Sequence, residues 1–190
     1  MLFDGVDNGI NISDSHLSTS SLNVKGDELT LEVWAKGGKQ RNSVYLIRKN
    51  NDAGNVGYGL YTGGASTMYF LIGPGSAQVT PDSGFTWDDQ WHHIVGVYNG
   101  SNISLYIDGL VNSSASASGN LGDSTDQPFT IGVGWGLGVG NRFFNGRVHR
   151  DARPRGKYPG PKLLAGGDVV LDDGDLDAHF MLRAIVCAKY

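Results

Sequence analysis

Residues 91–109 read WHHIVGVYNGSNISLYIDG, and this stretch decides the fold of the chain. Apolar residues recur at alternate positions on both sides of Asn99-Gly100, which is the pattern of a β-strand with one buried face. Asn-Gly favours a tight turn because both residues tolerate a positive φ. Asp108-Gly109 marks a second turn. The stretch therefore predicts an antiparallel hairpin in which residues 92–98 pair with residues 103–107.

Outside this hairpin, short apolar segments alternate with Gly, Asn, Asp and Ser clusters, and no segment has a sustained helical period. This pattern predicts two antiparallel sheets packed face to face around one core. The predicted strands are residues 2–3, 10–12, 29–36, 43–49, 58–62, 67–72, 78–79, 92–98, 103–107, 129–133 and 143–149. The predicted core includes Trp34, Trp91, Val95, Val97, Leu105 and Ile107.

Composition limits the class of protein. A length of 190 residues with 29 glycines and 18% charged residues fits one β-sandwich domain. The net charge of −4 argues against a nucleic-acid partner, which needs a basic surface. The sequence has no apolar run long enough to predict a membrane span, and Met1 leads straight into the first strand, so no signal peptide is predicted. Cys187 is the single cysteine and cannot form an internal disulfide.

Several segments resemble laminin-G-like, concanavalin-A-like jelly-roll domains. They are the hairpin above, LFDGVDN at 2–8, LTLEVWA at 29–35, FTIG at 129–132 and FNGRV at 144–148. The resemblance covers residues 2–149 and implies an all-β fold, a two-sheet antiparallel jelly-roll sandwich. Since that superfamily consists mostly of lectins, adhesion modules and carbohydrate-binding modules, it also implies a glycan or cell-surface polysaccharide as ligand.

The sequence predicts that the domain is not an enzyme. Glycosidases need two carboxylates at a fixed distance across the sugar bond. The only glutamates are Glu28 and Glu32, and Glu32 has no acidic residue two positions away on its strand. Asp88 and Asp89 are adjacent in a turn and are expected to point apart. His92 and His93 are consecutive on a strand, so they are expected to face opposite sides of the sheet.

Aromatic residues outside the predicted core are the candidate ligand platform, because lectin-like sites stack a sugar on an exposed ring. Trp135 lies in a loop that alternates Gly with apolar residues and is the first candidate. Tyr58 and Tyr61 lie on a Gly-rich strand, and Trp87 lies in a loop before the hairpin. Each of these rings has the alternative role of covering an edge of the core.

Calcium is the one cofactor that the resemblance implies. Many relatives hold Ca²⁺ near the turn after the first strand, and Asp4, Asp7 and Asn8 match this half of the site. The acidic residue that the family places after Gly-Arg-Val is replaced here by His149 and Arg150. The alternative for residues 4–8 is an ordinary turn.

The resemblance ends after residue 149, so residues 150–190 are predicted to be an extension specific to this chain. Prolines at 154, 159 and 161 exclude a central strand there. The extension has too little apolar surface to fold alone and is expected to dock on a neighbouring subunit or on the sandwich. We therefore expect a lectin-like module at an extracellular or virion surface, displayed on a larger assembly such as a phage virion, with a homo-oligomer or virion proteins as partners. The alternatives are a purely structural decoration protein of a capsid or tail, and, less favoured, a glycan hydrolase.

Overall fold

The computed structural model describes residues 1–12, 22–50, 57–63, 67–73, 77–79, 85–124, 127–134, 142–148, 168–171 and 180–185. These residues contain β-strands and no α-helix. None of them forms a helix that is long and apolar enough to span a membrane. The strands are β1 (Leu2–Asp4), β2 (Ile10–Ile12), β3 (Glu28–Lys36), β4 (Asn42–Asn50), β5 (Gly57–Gly63), β6 (Met68–Ile72), β7 (Ala77–Val79), β8 (Trp91–Asn99), β9 (Asn102–Ile107), β10 (Leu110–Ser116), β11 (Phe129–Ile131), β12 (Val133–Gly134), β13 (Arg142–Phe143), β14 (Asn145–Val148), β15 (Asp168–Leu171) and β16 (Phe180–Ile185).

Two antiparallel sheets hold most of these strands, which confirms the predicted sandwich. Sheet A has the order β1-β14-β3-β8-β9-β10, and sheet B has the order β2-β11-β4-β5-β6-β7. The predicted hairpin is β8–β9, in which Ile94 lies opposite Ile107 and Tyr98 lies opposite Ile103. Its turn uses Gly100 at a φ of +82°, a conformation that glycine adopts without strain.

The core lies between the two sheets and is built from alternate residues of the long strands. In β3, Leu29, Leu31, Val33 and Ala35 are buried. Gly96 of sheet A lies directly against the Phe70 ring of sheet B, since a Cβ at Gly96 would be only 2.5 Å from two ring carbons. A fully buried leucine or phenylalanine contributes about 1.5–3 kcal/mol through burial, so this shared interior is the main source of stability.

The predicted core was wrong for four of its six members. Trp34 is 45% exposed and Trp91 is 40% exposed, while Val95 and Val97 are only partly buried. Leu105 and Ile107 are buried as predicted.

Alternation explains why Trp34 faces outward. Side chains two residues apart share one face of a strand, so Trp34 shares its face with Glu32 and Lys36. Burying Trp34 would have buried both of these charges, which is costly without partners. The opposite face of β3 carries only apolar side chains and faces the core. Trp91 lies opposite Lys36, and His93 lies opposite Trp34. Because directly opposite residues share a face of the sheet, Trp91 also points outward.

Part of the C-terminal extension lies beside β3. β14 pairs only with Ala35 and Lys36 at one end of β3. Further along β3, Ala184 and Ile185 of β16 pair with Leu31 and Thr30, and β16 also pairs with β15. β16 is thus paired with β3 of sheet A on one side and with β15 on the other. Docking of the whole extension, on the sandwich or on a neighbouring subunit, stays a prediction.

Candidate functional site

Three tyrosines form a row across the outer face of sheet B. Tyr45 of β4 lies opposite Tyr61 of β5, which lies opposite Tyr69 of β6. The ring centroids of Tyr45 and Tyr61 are 4.9 Å apart, and those of Tyr61 and Tyr69 are 4.7 Å apart. These distances match the spacing of neighbouring strands, about 4.8 Å, so the rings stack from strand to strand. We call Tyr45, Tyr61 and Tyr69 the tyrosine row.

Two glycines of β5 make room for the outer rings of the row. A Cβ at Gly59 would lie 2.8 Å from Cε1 of Tyr45, and a Cβ at Gly63 would overlap Cε2 of Tyr69. Both glycines alternate with buried residues and share the face of Tyr61. The Gly-rich sequence of β5 therefore lets the neighbouring rings lean over the strand, where any other residue would displace them.

The row is half-buried, and the pKa of its central hydroxyl is raised. Burial raises the pKa of the Tyr61 hydroxyl, and the neighbouring Tyr45 and Tyr69 raise it further. Tyr61 therefore keeps its proton at physiological pH and can donate and accept hydrogen bonds. The Arg48 guanidinium carbon lies 5.1 Å from the centroid of the Tyr45 ring, within the range of a cation–π contact.

No carboxylate belongs to the strands of this face. The six strands of sheet B, β2, β4, β5, β6, β7 and β11, contain no Asp or Glu. The row thus combines aromatic surface and phenol hydroxyls with no carboxylate on the same strands. Such a surface can bind a neutral polyhydroxylated ligand, but its strands cannot supply the paired carboxylates of glycoside hydrolysis.

The four residues predicted as the ligand platform have different positions. Tyr61 is the middle of the tyrosine row. Tyr58 is fully buried, and its hydroxyl donates a hydrogen bond of 2.8 Å to the Leu22 carbonyl. Trp87 is also buried, at 4% exposure, against Phe85 and Phe144. An aromatic platform needs an exposed ring face, so Tyr58 and Trp87 do not fit that role.

Trp135 lies outside the described residues. Gly134, which precedes it, lies beside the tyrosine row, because a Cβ there would be 3.2 Å from Cδ2 of Tyr45. A role for Trp135 in the same site stays a prediction.

Sequence reasoning missed Tyr45 and Tyr69. A signal for Tyr69 exists, because a β5–β6 hairpin centred on residue 65 places residue 61 opposite residue 69, as observed. No such signal exists for Tyr45. The β4–β5 register shifts between Tyr45 and Ile47, and a bulge of this kind cannot be counted from the sequence.

Asp4, Asp7 and Asn8, the residues proposed for calcium, form a turn that closes on itself. Oδ1 of Asp4 accepts hydrogen bonds from the Val6 and Asp7 amides at 2.8 and 3.3 Å, and Oδ1 of Asn8 accepts one from the Asp4 amide at 2.7 Å. The Val6 amide, with the other amides of the turn, holds the pKa of Asp4 below its usual value.

The donor set of this turn fits a cation only in part. Calcium takes six to eight oxygen ligands, and two of the oxygens available here already accept backbone amides. The described residues contain no group of three acidic, His or Cys side chains arranged for a metal. Calcium at this turn remains a prediction.

A second polar cluster, centred on His92, ties the loop before β8 to the β9–β10 turn. Nδ1 of His92 lies 2.8 Å from Oδ2 of Asp108, and Nε2 lies 3.0 Å from Oδ1 of Asp88. His92 packs against Phe85 and Trp87, whereas His93 stacks on Trp34 on the outer face of sheet A. The two histidines thus face opposite sides of the sheet, and His92 serves the structure.

The charge of this cluster follows from its hydrogen bonds. Burial alone would lower the pKa of His92, but the carboxylates of Asp108 and Asp88 outweigh burial and raise it. The Gln90 amide and His92 lower the pKa of Asp88. Burial would raise the pKa of Asp108, but His92 and the His93 amide outweigh it, and the net shift is downward.

These shifts predict how stability depends on pH. A raised His92 pKa stabilises the fold fully below the unfolded-state value of about 6.5 and ceases to do so as pH rises through the folded-state value. The lowered pKa values of Asp88 and Asp108 stabilise the fold fully above the unfolded-state value of about 3.9. This stabilisation is lost as pH falls through the folded-state pKa values. We expect the melting temperature of wild type to exceed that of His92→Gln most between these limits, near pH 5–6. Melting curves from pH 3 to pH 9 check this, and a difference that grows above pH 7 would contradict it.

Comparisons with known proteins agree with this architecture. The family model for laminin G domains described as the concanavalin A-like lectin/glucanases superfamily matches residues 7–150. No curated protein sequence matches the chain.

Solved structures with the same fold include domain 4 of AbnA, a GH43 extracellular arabinanase from Geobacillus stearothermophilus, in complex with arabinotriose. The TM-score is 0.52 at 14% identity, over 77% of this chain and 66% of that chain. Domains LG4-5 of the mouse laminin alpha1 chain give a TM-score of 0.53 at 16% identity, over 78% of this chain and 39% of that chain. A heptameric SAP-like pentraxin from Limulus polyphemus gives a TM-score of 0.51 at 16% identity, over 78% of this chain and 72% of that chain. At these identities the likeness concerns the fold.

Proposed function

Because this chain belongs to the concanavalin A-like lectin/glucanase superfamily, we propose that it is a non-catalytic carbohydrate-binding module whose ligand lies on the tyrosine row. The observation that carries this proposal is the row itself, three stacked, partly buried tyrosines on the outer face of one sheet. The arabinotriose complex of the arabinanase domain supports a saccharide as the class of ligand, since that domain has the same fold.

The chemistry of the row favours a neutral saccharide. Sugars present alternating apolar C–H faces and hydroxyl groups, which match ring surface and phenol hydroxyls respectively. Since the strands of sheet B carry no carboxylate, an amino sugar gains no ion pair from them. The Arg48 guanidinium beside the row is 5% exposed and packs over Tyr45.

The same composition supports binding without cleavage. Glu28 and Glu32, the only glutamates, lie on β3 of the other sheet. Glu32 is hydrogen-bonded to His93 at 2.9 Å. A hydrolase acting on a ligand at the tyrosine row would need both of its carboxylates from outside the strands of sheet B.

Display of this module on a larger assembly, such as a phage virion, is part of the proposal. A domain that binds glycans from such a surface would serve adhesion, and the β15–β16 extension would join it to its neighbours. The alternative, a structural decoration protein without a glycan ligand, differs in one observable, the absence of saccharide binding.

Titration calorimetry of the full chain with neutral arabino-, xylo- and cello-oligosaccharides tests the proposal. We expect saturable binding of at least one series, together with unchanged oligosaccharide length after long incubation. If no saccharide of a broad neutral glycan array bound the chain, the proposed glycan binding would be wrong. Shortened oligosaccharides after incubation would contradict the non-catalytic assignment.

A further inference from the structure

A second row of side chains crosses the outer face of sheet A, on the opposite side of the sandwich from the tyrosine row. Leu2 of β1 lies opposite Arg147 of β14, which lies opposite Lys36 of β3, which lies opposite Trp91 of β8. Leu2, Arg147 and Trp91 are exposed, Lys36 is partly buried between buried neighbours, and residues directly opposite each other share a face, so all four point outward. We call Leu2, Arg147, Lys36 and Trp91 the cationic row.

Two like charges face each other at the centre of this row. Lys36 and Arg147 are directly opposite on neighbouring strands, an arrangement that is destabilising unless something neutralises it. No described carboxylate forms an ion pair with either cation. Their mutual position on a protein whose net charge is −4 calls for a physical explanation.

Three carboxylates near the row in the fold, Glu32, Asp88 and Asp4, have other partners. Glu32 contacts His93, and Asp88 contacts His92. Asp4 accepts the amides of its own turn. The side chain of Asp89 lies beside Gly38, where a Cβ would be 3.2 Å from its Oδ2, and it pairs with no described cation. Among the described residues, the two central charges therefore lack a carboxylate partner and can accept an anionic ligand.

Aromatic rings flank the charges. Trp91 is 40% exposed, and Trp34, one position along the face, is 45% exposed and stacks on His93 at 4.8 Å. The row thus places two cations beside exposed indole rings on a flat surface. A ligand that combines an anionic group with an apolar ring face would satisfy both.

We propose that the cationic row is a binding site for an acidic saccharide, a chain of uronic acid residues. The uronate carboxylate lies between Lys36 and Arg147, and the sugar ring packs on Trp91. This site is separate from the tyrosine row and does not depend on the function proposed for it. The module then carries a neutral-sugar face on one sheet and an acidic-sugar face on the other.

The topology disfavours an acidic peptide at the same place. A peptide that binds a sheet by strand addition needs a free strand edge. β14 lies between β1 and β3, and at Lys36 β3 lies between β14 and β8, so the strands bearing both cations are paired on both sides. Only side chains are available to a ligand here, which suits a saccharide.

Titration of the full chain with an oligogalacturonate, followed by calorimetry and by tryptophan fluorescence, tests the proposal. The matched ligand is the same oligosaccharide with methyl-esterified carboxyls, which keeps the ring and removes the charge. We expect saturable binding of the acid form with a change in tryptophan emission, and loss of about tenfold or more in affinity for the ester. Added salt should weaken the binding.

Variants locate the site. Lys36→Gln and Arg147→Gln are each expected to lower the affinity about tenfold, and to leave the melting temperature unchanged or slightly raised because each relieves the like-charge contact. The matched control is Lys25→Gln, which removes an exposed charge that pairs with Asp123 at 2.8 Å on another part of the surface. Tyr61→Ala should leave this affinity unchanged.

Three results would overturn the proposal. The first is equal affinity for the acid and the ester. The second is an equal loss of affinity in Lys25→Gln and Lys36→Gln. The third is binding of a poly-glutamate peptide of the same charge that is as tight as binding of the oligogalacturonate. Failure of neutral sugars to bind the tyrosine row would leave all of these measurements unaffected, so the two proposals fail separately.

Discussion

Replacing Gly132 with alanine is expected to lower the free energy of unfolding by about 2–5 kcal/mol. Gly132 has a φ of +73°, in the left-handed region that costs any other residue about 1–2 kcal/mol. A Cβ there would also overlap the ring of Phe3, which is fully buried, and overpacking of this kind costs about 1–3 kcal/mol more.

The backbone at Gly132 cannot move aside to relieve the clash. Its amide donates to the Leu46 carbonyl at 3.1 Å, and its carbonyl accepts from the Phe144 amide at 2.8 Å. Any shift that frees Phe3 therefore breaks hydrogen bonds that join Gly132 to β4 and to the start of β14. Since small domains have a total stability of about 5–15 kcal/mol, the variant is expected to be poorly folded at 37 °C.

Gly109→Ala is the matched control for this substitution. Gly109 has a φ of +82°, but a Cβ there meets nothing within 4 Å. This variant should show the cost of the backbone conformation alone, about 1–2 kcal/mol. Urea unfolding of both variants separates the two contributions. If the two variants lost the same free energy, the contact with Phe3 would contribute nothing and the close packing described here would be wrong.

The β8–β9 hairpin shows what the sequence could predict. Its alternation and its Asn-Gly turn are local, and the paired residues lie within 19 positions along the chain. Strand existence, antiparallel pairing and the two-sheet class follow from such local patterns. The strand order within each sheet does not follow from local patterns.

The faces of β8 show what could not be predicted. Both of its alternating sets carry apolar residues: Trp91, Val95 and Val97 on one side, Ile94 and Tyr98 on the other. Burial of the second set depends on Gly96, which leaves room for the Phe70 ring of the opposite sheet. That contact joins residues 26 positions apart in sequence, and no pattern within β8 reveals it.

The tyrosine row required information that no single strand contains. Its three rings come from three strands, and the bulge in β4 shifts Tyr45 into line with Tyr61. A functional surface of this kind is created by register between strands. The sequence could therefore identify Tyr61 as a candidate, but not the two rings that complete the surface.

Tyr61→Ala is expected to lower the affinity for a neutral oligosaccharide about 30-fold or more, which corresponds to about 2 kcal/mol of binding free energy. Tyr61 is the central ring and stacks on both of its neighbours, so its removal leaves a gap between Tyr45 and Tyr69. Cross-strand pairs contribute about 0.2–1 kcal/mol each to stability, so the variant should remain folded. Calorimetry with the wild-type ligand and a melting curve measure the two effects separately.

Tyr58→Phe is the matched control, since Tyr58 lies on the same strand but faces the core. It loses the hydrogen bond to the Leu22 carbonyl and is expected to cost about 1 kcal/mol of stability with no change in affinity. A third variant, Gly63→Ala, keeps all three rings but displaces Tyr69, because the added Cβ overlaps its ring.

Intermediate loss of affinity in Gly63→Ala would show that the alignment of the row matters, beyond the presence of its rings. Wild-type affinity in both Tyr61→Ala and Gly63→Ala would place the ligand elsewhere, even if the chain binds saccharides. An equal loss of affinity in Tyr61→Ala and Tyr58→Phe would mean that the affinity only reflects the stability of the fold. These two side chains share a strand and differ in the face they occupy. Only loss confined to the outward residues assigns the ligand to the outer face of sheet B.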